Sequence, residues 1–172
     1  MGNAQFLNQF PLFGGLKATV PMIIGQYAII QTLAGATTTD ATEVTGGRIV
    51  VPKDYFVPGS TFRYTVYGSR TGTNGAITLT MDINGTTAVA LAIPTDTGVE
   101  FYSQFIVHET GDFAHQNNSA ICLTSATVLA AMEYNASTVN VSQTSTLTLR
   151  QTVAVSGDAL LINYILIEYW KI

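Results

Sequence analysis

Two imidazoles and two carboxylates fall within eight residues in His108-Glu-Thr-Gly-Asp112-Phe-Ala-His115, the chain's one compact grouping of proton-transfer and metal-ligating side chains. A zinc-hydrolase helix needs its two histidines one turn apart with the glutamate between them. Here the second histidine comes seven residues after the first, and Gly111 interrupts the segment. The expectation is a set of solvated loop groups and no metal centre. No Gly-x-Ser-x-Gly elbow, phosphate loop or dinucleotide fingerprint occurs, so neither catalysis nor a cofactor is expected. Asp54, Asp96, Glu100 and Asp112 could complete a calcium site in loops, but their spacing matches no known calcium loop. Tyr55, Phe56, Tyr67, Tyr102 and Tyr134 could stack sugars if exposed; against this, Tyr in strands is commonly half-buried packing.

The elements that must position these groups read as strands throughout. With 172 residues the chain is long enough for one domain with an extension, burying roughly 70% of its unfolded surface. Charged residues make up only 10%, against about 25% in an ordinary soluble domain. Thr, Ser, Asn, Gln and Gly take their place, as suits a protein held among neighbours or a β-domain with a Thr-rich face. The net charge is −4 and the seven cations are scattered, so no nucleic-acid partner is expected. No apolar run reaches membrane-span length, and the first residues lack a secretion signal. The four Asn-x-Ser/Thr sequons at Asn84, Asn117, Asn135 and Asn140 are therefore expected to carry no sugar. The lone Cys122 lies in an apolar run and is expected to be a buried free thiol, compatible with folding in a host cytoplasm.

Residues 1–26 differ from the rest. Phe6, Leu7, Phe10, Leu12, Phe13, Val20 and Met22 are interrupted by Pro11, Gly14-Gly15 and Pro21, which no helix or alternating strand tolerates. The segment is too apolar for a disordered tail, so it reads as an extended anchoring arm whose large side chains fill pockets on a partner. Residues 27–172 read as one β-domain. Strands are expected at 27–33, 48–51, 61–68, 76–83, 86–92, 99–108, 120–134, within 138–152, and at the C-terminal end. Asn84-Gly85 between two alternating runs marks a hairpin, and Pro58-Gly59 a type II turn. About eight or nine antiparallel strands without a helix mean a β-sandwich or jelly roll. In the last strand simple alternation puts Ile162, Tyr164, Leu166 and Trp170 on one face and Leu161, Asn163, Ile165, Ile167 and Tyr169 on the other. Apolar on both sides, that strand is expected under a second layer or a second subunit.

The run Ile49-Val-Val-Pro52, then Val57-Pro-Gly-Ser-Thr-Phe-Arg-Tyr64 and Gly68, with Tyr164-Ile-Leu-Ile-Glu168 near the end, resembles small jelly-roll virion proteins of tailed bacteriophages. The resemblance covers roughly residues 47–172 and is diffuse. It implies a non-enzymatic virion part, a homotrimer decorating or cementing a capsid, with the major capsid protein or another virion protein as partner through the arm. The alternative is a carbohydrate-recognising receptor-binding module of a tail fibre, spike or head fibre.

Overall fold

The computed structural model describes residues 22–34, 41–72, 75–93, 100–110, 113–124, 131–155 and 157–171. β-Branched and aromatic residues at every second position shape the chain into strands with one buried and one open face. Among the described residues there are ten: β1 (Met22–Ala34), β2 (Thr42–Val51), β3 (Ser60–Thr71), β4 (Ile77–Ile83), β5 (Thr86–Ile93), β6 (Glu100–Glu109), β7 (Gln116–Thr124), β8 (Ala131–Ser137), β9 (Ser145–Val153) and β10 (Ala159–Lys171). They form two antiparallel sheets, ordered β1-β10-β3-β6-β7-β8 and β2-β9-β4-β5. Without β7 and β8, the remaining four-plus-four order is that of a jelly roll. The β7–β8 hairpin widens one sheet to six strands, and Asn135 on β8 donates to the Ala88 carbonyl of β5 (2.8 Å), tying it across to the other sheet.

The core fills the space between the sheets. Phe62, Tyr64 and Val66 of β3, Phe101, Phe105 and Val107 of β6, and Ile77, Leu79, Met81 and Ile83 of β4 are buried, as their alternation demands. Each such side chain contributes about 1.5–3 kcal/mol on burial. The expected turns are present. Ser60 N–H donates to Val57 O (2.8 Å) around Pro58-Gly59, with Gly59 at φ 80°. Asn84 and Gly85 have φ of 52° and 81°, the left-handed pair that a tight hairpin needs.

Four expectations are corrected. The single strand at 120–134 is two, β7 and β8, which pair with each other. Gln116–Ser119, expected between strands, belongs to β7, where most of its inward polar groups find partners, Asn118 Oδ1 excepted. Gln116 accepts from Ser137 Oγ (2.8 Å) and donates to Val139 O (2.8 Å), and Asn118 donates to Ser137 Oγ (2.9 Å). β2 starts at Thr42 rather than Arg48, and β1 starts at Met22 rather than Tyr27. Met22, placed in the arm by its sequence, thus pairs in register with Tyr169. Phe6, Leu7, Phe10, Leu12, Phe13 and Val20 lie outside the described residues.

The fourth correction decides the functional face. Strict alternation along β10 fails because the register with β3 shifts between Ile162 and Tyr164. A bulge adds one residue and exchanges the faces beyond it. Leu160, Ile162, Ile165, Ile167 and Tyr169 are therefore the buried set, while Tyr164, Leu166, Glu168 and Trp170 stand on the outer face, partly exposed. Ile162 and Tyr164, expected on one side, end on opposite sides.

Candidate functional site

The two outer faces of the sandwich differ in chemistry. On the four-stranded sheet, Thr78 and Thr80 of β4 and Thr146, Thr148 and Thr152 of β9 point outward, beside an Arg150–Asp82 ion pair at 3.7 Å. Short hydroxyls and paired charge keep that side wetted. The six-stranded sheet presents aromatic and aliphatic side chains instead. Its exposed members include Ile23, Tyr67, Met132 and Tyr134, the last two about two-thirds open at 68% and 67%. On the four-stranded face only Val50, at 52%, is comparably open among the described residues, so large apolar exposure is weighted to the six-stranded face, as at recognition surfaces.

Cross-strand register assembles the surface in rows. Tyr164 on β10 lies opposite Tyr67 on β3, Tyr67 opposite Tyr102 on β6, and Tyr102 opposite Leu123 on β7. The Tyr67 ring is 5.0 Å from that of Tyr102 at 70°, and 6.1 Å from that of Tyr164 at 56°. Edge-to-face packing of this kind holds the rings in place at small entropic cost. Tyr67, 45% exposed, is the open member of the three. Gln104, two residues along β6 from Tyr102, donates its Nε2 to the Tyr102 hydroxyl at 3.0 Å. That tyrosine hydroxyl accepts one bond and keeps its own proton to donate; the Gln104 carbonyl oxygen keeps its acceptor capacity.

One row further, Arg63 and Glu168 form a two-pronged pair at 2.7 and 2.8 Å, and the guanidinium lies 5.2 Å from the centre of the Trp170 ring. The Glu168 hydrogen bond, with its charge, raises the Arg63 pKa, although partial burial opposes it. The pair fixes the Trp170 ring against β3 and cancels its own charge. Beyond it, His108 Nδ1 is 2.8 Å from Thr61 Oγ1, and Tyr134 donates to Asn117 Oδ1 at 2.9 Å. Close strand packing underlies the row: a Cβ on Gly68 would strike the Leu161 carbonyl and, at 2.7 Å, the Phe101 ring.

The residues singled out by sequence separate accordingly. His108 and Glu109 are neighbours on one strand and point to opposite faces. Glu109 is buried, and its Oε1 accepts the Phe113 amide (2.8 Å), supporting that residue's positive φ of 60°. His115 is exposed and Asp112 lies outside the described residues. No group of three or more metal-ligating side chains occurs among the described residues. Of the four calcium candidates, Asp54 and Glu100 are exposed, while Asp96 and Asp112 lie outside the described residues. Of the aromatic candidates, Tyr67, Tyr102 and Tyr134 share the six-stranded face. Phe56 does not: it is buried against Phe62, with ring centres 5.1 Å apart. Tyr55 packs on Tyr169 at 6.1 Å, and its carbonyl accepts the Tyr169 hydroxyl. Tyr164, Leu166 and Trp170, expected at a subunit interface, join the same outer face. Sequence reasoning missed Arg63, Gln104 and Glu168; the polar Asn163 inside an apolar strand was the available sign of the bulge.

These features define an all-β sandwich of jelly-roll order with an aromatic sheet face. No family model and no curated protein matches the chain. Among solved structures it is similar to the CBM2 module of the evolved Dit of Lactobacillus casei BL23 phage J-1, at 8% identity and TM-score 0.43, over 73% of this chain and 69% of that one. The Lotus tetragonolobus seed lectin matches at 9% identity and TM-score 0.40, over 89% and 99%. A CBM36-1 domain of a multidomain xylanase from the hindgut metagenome of Trinervitermes trinervoides matches at 13% and 0.38, over 86% and 96%. At these values the likeness is one of general sandwich layout, and no residue role is carried over from them.

Proposed function

We propose that the chain is a non-enzymatic carbohydrate-recognising module that binds glycan on the outer face of its six-stranded sheet. The observation that carries the reading is the Tyr164–Tyr67–Tyr102 row, in which the exposed Tyr67 ring sits among fixed hydrogen-bonding groups on the more apolar of the two outer faces. The C–H side of a pyranose is apolar and weakly positive, which suits the negative face of an aromatic ring, while its hydroxyls need donors and acceptors at the rim. In the setting that the phage resemblance implies, the module would fix a virion to a cell-surface polysaccharide. A trimer would present three such faces and multiply weak contacts through effective concentration. The arm contacts on which capsid decoration was expected to rest, apart from Met22, fall outside the described residues, and the glycan reading does not depend on them.

The test is an array of bacterial and plant polysaccharides probed with the full chain and with Tyr67→Ala. Binding to a defined glycan, weakened at least tenfold (about 1.4 kcal/mol) by the substitution, is the expected result. A folded protein that retains no glycan, or whose glycan binding ignores Tyr67→Ala, Tyr102→Ala and Tyr164→Ala alike, refutes the reading.

A further inference from the structure

The charge and geometry of the same face narrow the ligand. The inference rests on the glycan reading above. Among the described residues, the ionisable groups on this face, tyrosines aside, are Arg63, Glu168, Glu100 and His108. Arg63 is consumed: Glu168 holds both prongs of its guanidinium and Trp170 lies against it. Arg63 and its partner are also one-third exposed or less, with side-chain exposures of 29% and 13%. Among the described residues of the face, no lysine or arginine is therefore left to meet a carboxylate or phosphate. Glu100 stands exposed on β6, on the same side of the strand as Tyr102 and Gln104, with Ser69 opposite it. An acidic sugar laid along the tyrosine row would meet that carboxylate without a compensating positive charge.

Direction follows from register. The three rings sit on neighbouring strands, about 4.8 Å apart across the sheet, so the row runs perpendicular to the strands. At its β6 end the Tyr102 hydroxyl, a donor, and the Gln104 carbonyl oxygen, an acceptor, stand side by side, held by their mutual bond of 3.0 Å. A vicinal pair of sugar hydroxyls, one accepting and one donating, complements that arrangement. We infer that the ligand is an uncharged glycan chain lying across β10, β3 and β6 along Tyr164, Tyr67 and Tyr102. One hydroxyl pair is read by Tyr102 and Gln104, and Glu100 discriminates against acidic chains.

The experiment is calorimetric titration of the full chain with gluco-, xylo- and manno-oligosaccharides of one to six units, and with oligogalacturonates of the same lengths, at low and physiological salt. In a neutral series affinity should rise steeply to three units and change less than about twofold beyond them, because the row spans three strands, about 10 Å across the sheet. Oligogalacturonates should bind at least tenfold more weakly. Glu100→Gln should narrow that gap by about two- to fivefold at low salt and less at physiological salt. Gln104→Leu should weaken the neutral ligand at least tenfold. Binding that depends on Tyr67 but favours the acidic series, or shows no dependence on length, overturns this inference and leaves the glycan reading standing. No binding in any neutral or acidic series overturns both. So does a concentration-dependent dimer abolished by Tyr67→Ala without sugar binding, which would make the face a contact between copies of this chain.

Discussion

Removing Asp158 should damage the fold more than removing any single side chain of the outer surface. Arg70 and Asp158 are buried together, with side-chain exposures of 1% and 0% and an N–O separation of 3.3 Å. Arg70 also donates to the carbonyl of Ile93 (3.2 Å) and to that of Gly75, so one guanidinium joins β3, the end of β5, the approach to β4 and the start of β10. Gly72 and Gly75 crowd the Asp158 side chain closely enough that neither position has room for a Cβ. At 3.3 Å and an effective dielectric of 20, the attraction is about 5 kcal/mol, opposed by the cost of dehydrating both charges. Asp158→Ala keeps the dehydration cost of Arg70 and loses the attraction, so it should destabilise by about 3–5 kcal/mol. The double replacement Arg70→Met, Asp158→Ala removes both charges and should cost clearly less than Asp158→Ala alone. Urea unfolding at neutral pH of wild type, both single variants and the double variant completes a double-mutant cycle. A single-variant loss under about 1 kcal/mol, or losses that simply add, would show that the pair is not what joins those four segments.

Two further outcomes follow from local geometry. Asn84 holds φ 52° while its side chain accepts the Thr146 amide (2.8 Å) and donates to Asn140 O and Ser145 Oγ (both 3.3 Å). Asn84→Ala should cost about 1–2 kcal/mol in urea unfolding and Asn84→Gly less, because only glycine takes that φ freely; equal losses would assign the whole effect to the side chain. Burial pushes the Cys122 thiol up from its ordinary value of 9.0, partly offset by the Ser103 hydroxyl on the neighbouring strand. The folded state thus holds that proton more tightly than the unfolded chain. The contribution is complete below the unfolded pKa and is lost as pH rises through the folded one. Stability measured from pH 8 to 10.5 should fall less steeply in Cys122→Ala than in wild type, and native Cys122 should resist a thiol reagent until urea is added; parallel profiles or rapid labelling would contradict the burial argument.

Local pattern determined the class of fold. Alternation in β3, β4 and β6, Asn84-Gly85 and Pro58-Gly59 depend on neighbours within a few residues, and each appears in the structure where the sequence places it. The polar stretch Gln116–Ser119 was not legible as a strand, because the partners of its inward Gln116 side chain and Asn118 amide nitrogen, Ser137 and Val139, lie some twenty residues away. The functional face was half legible. Tyr67, Tyr102 and Tyr134 stand out as aromatic residues in strands, yet their company with Tyr164 and Trp170 depends on a one-residue bulge in β10. A period-two pattern carries no memory past such an insertion, so only pairing with β3 decided which side chains meet solvent. Arg63 and Arg70 look alike in sequence as scattered cations. Tertiary structure separates them: one pairs with Glu168 105 positions away at the surface, the other with Asp158 88 positions away in the interior. Whether a charge can be buried is set by a partner that only the folded chain brings near.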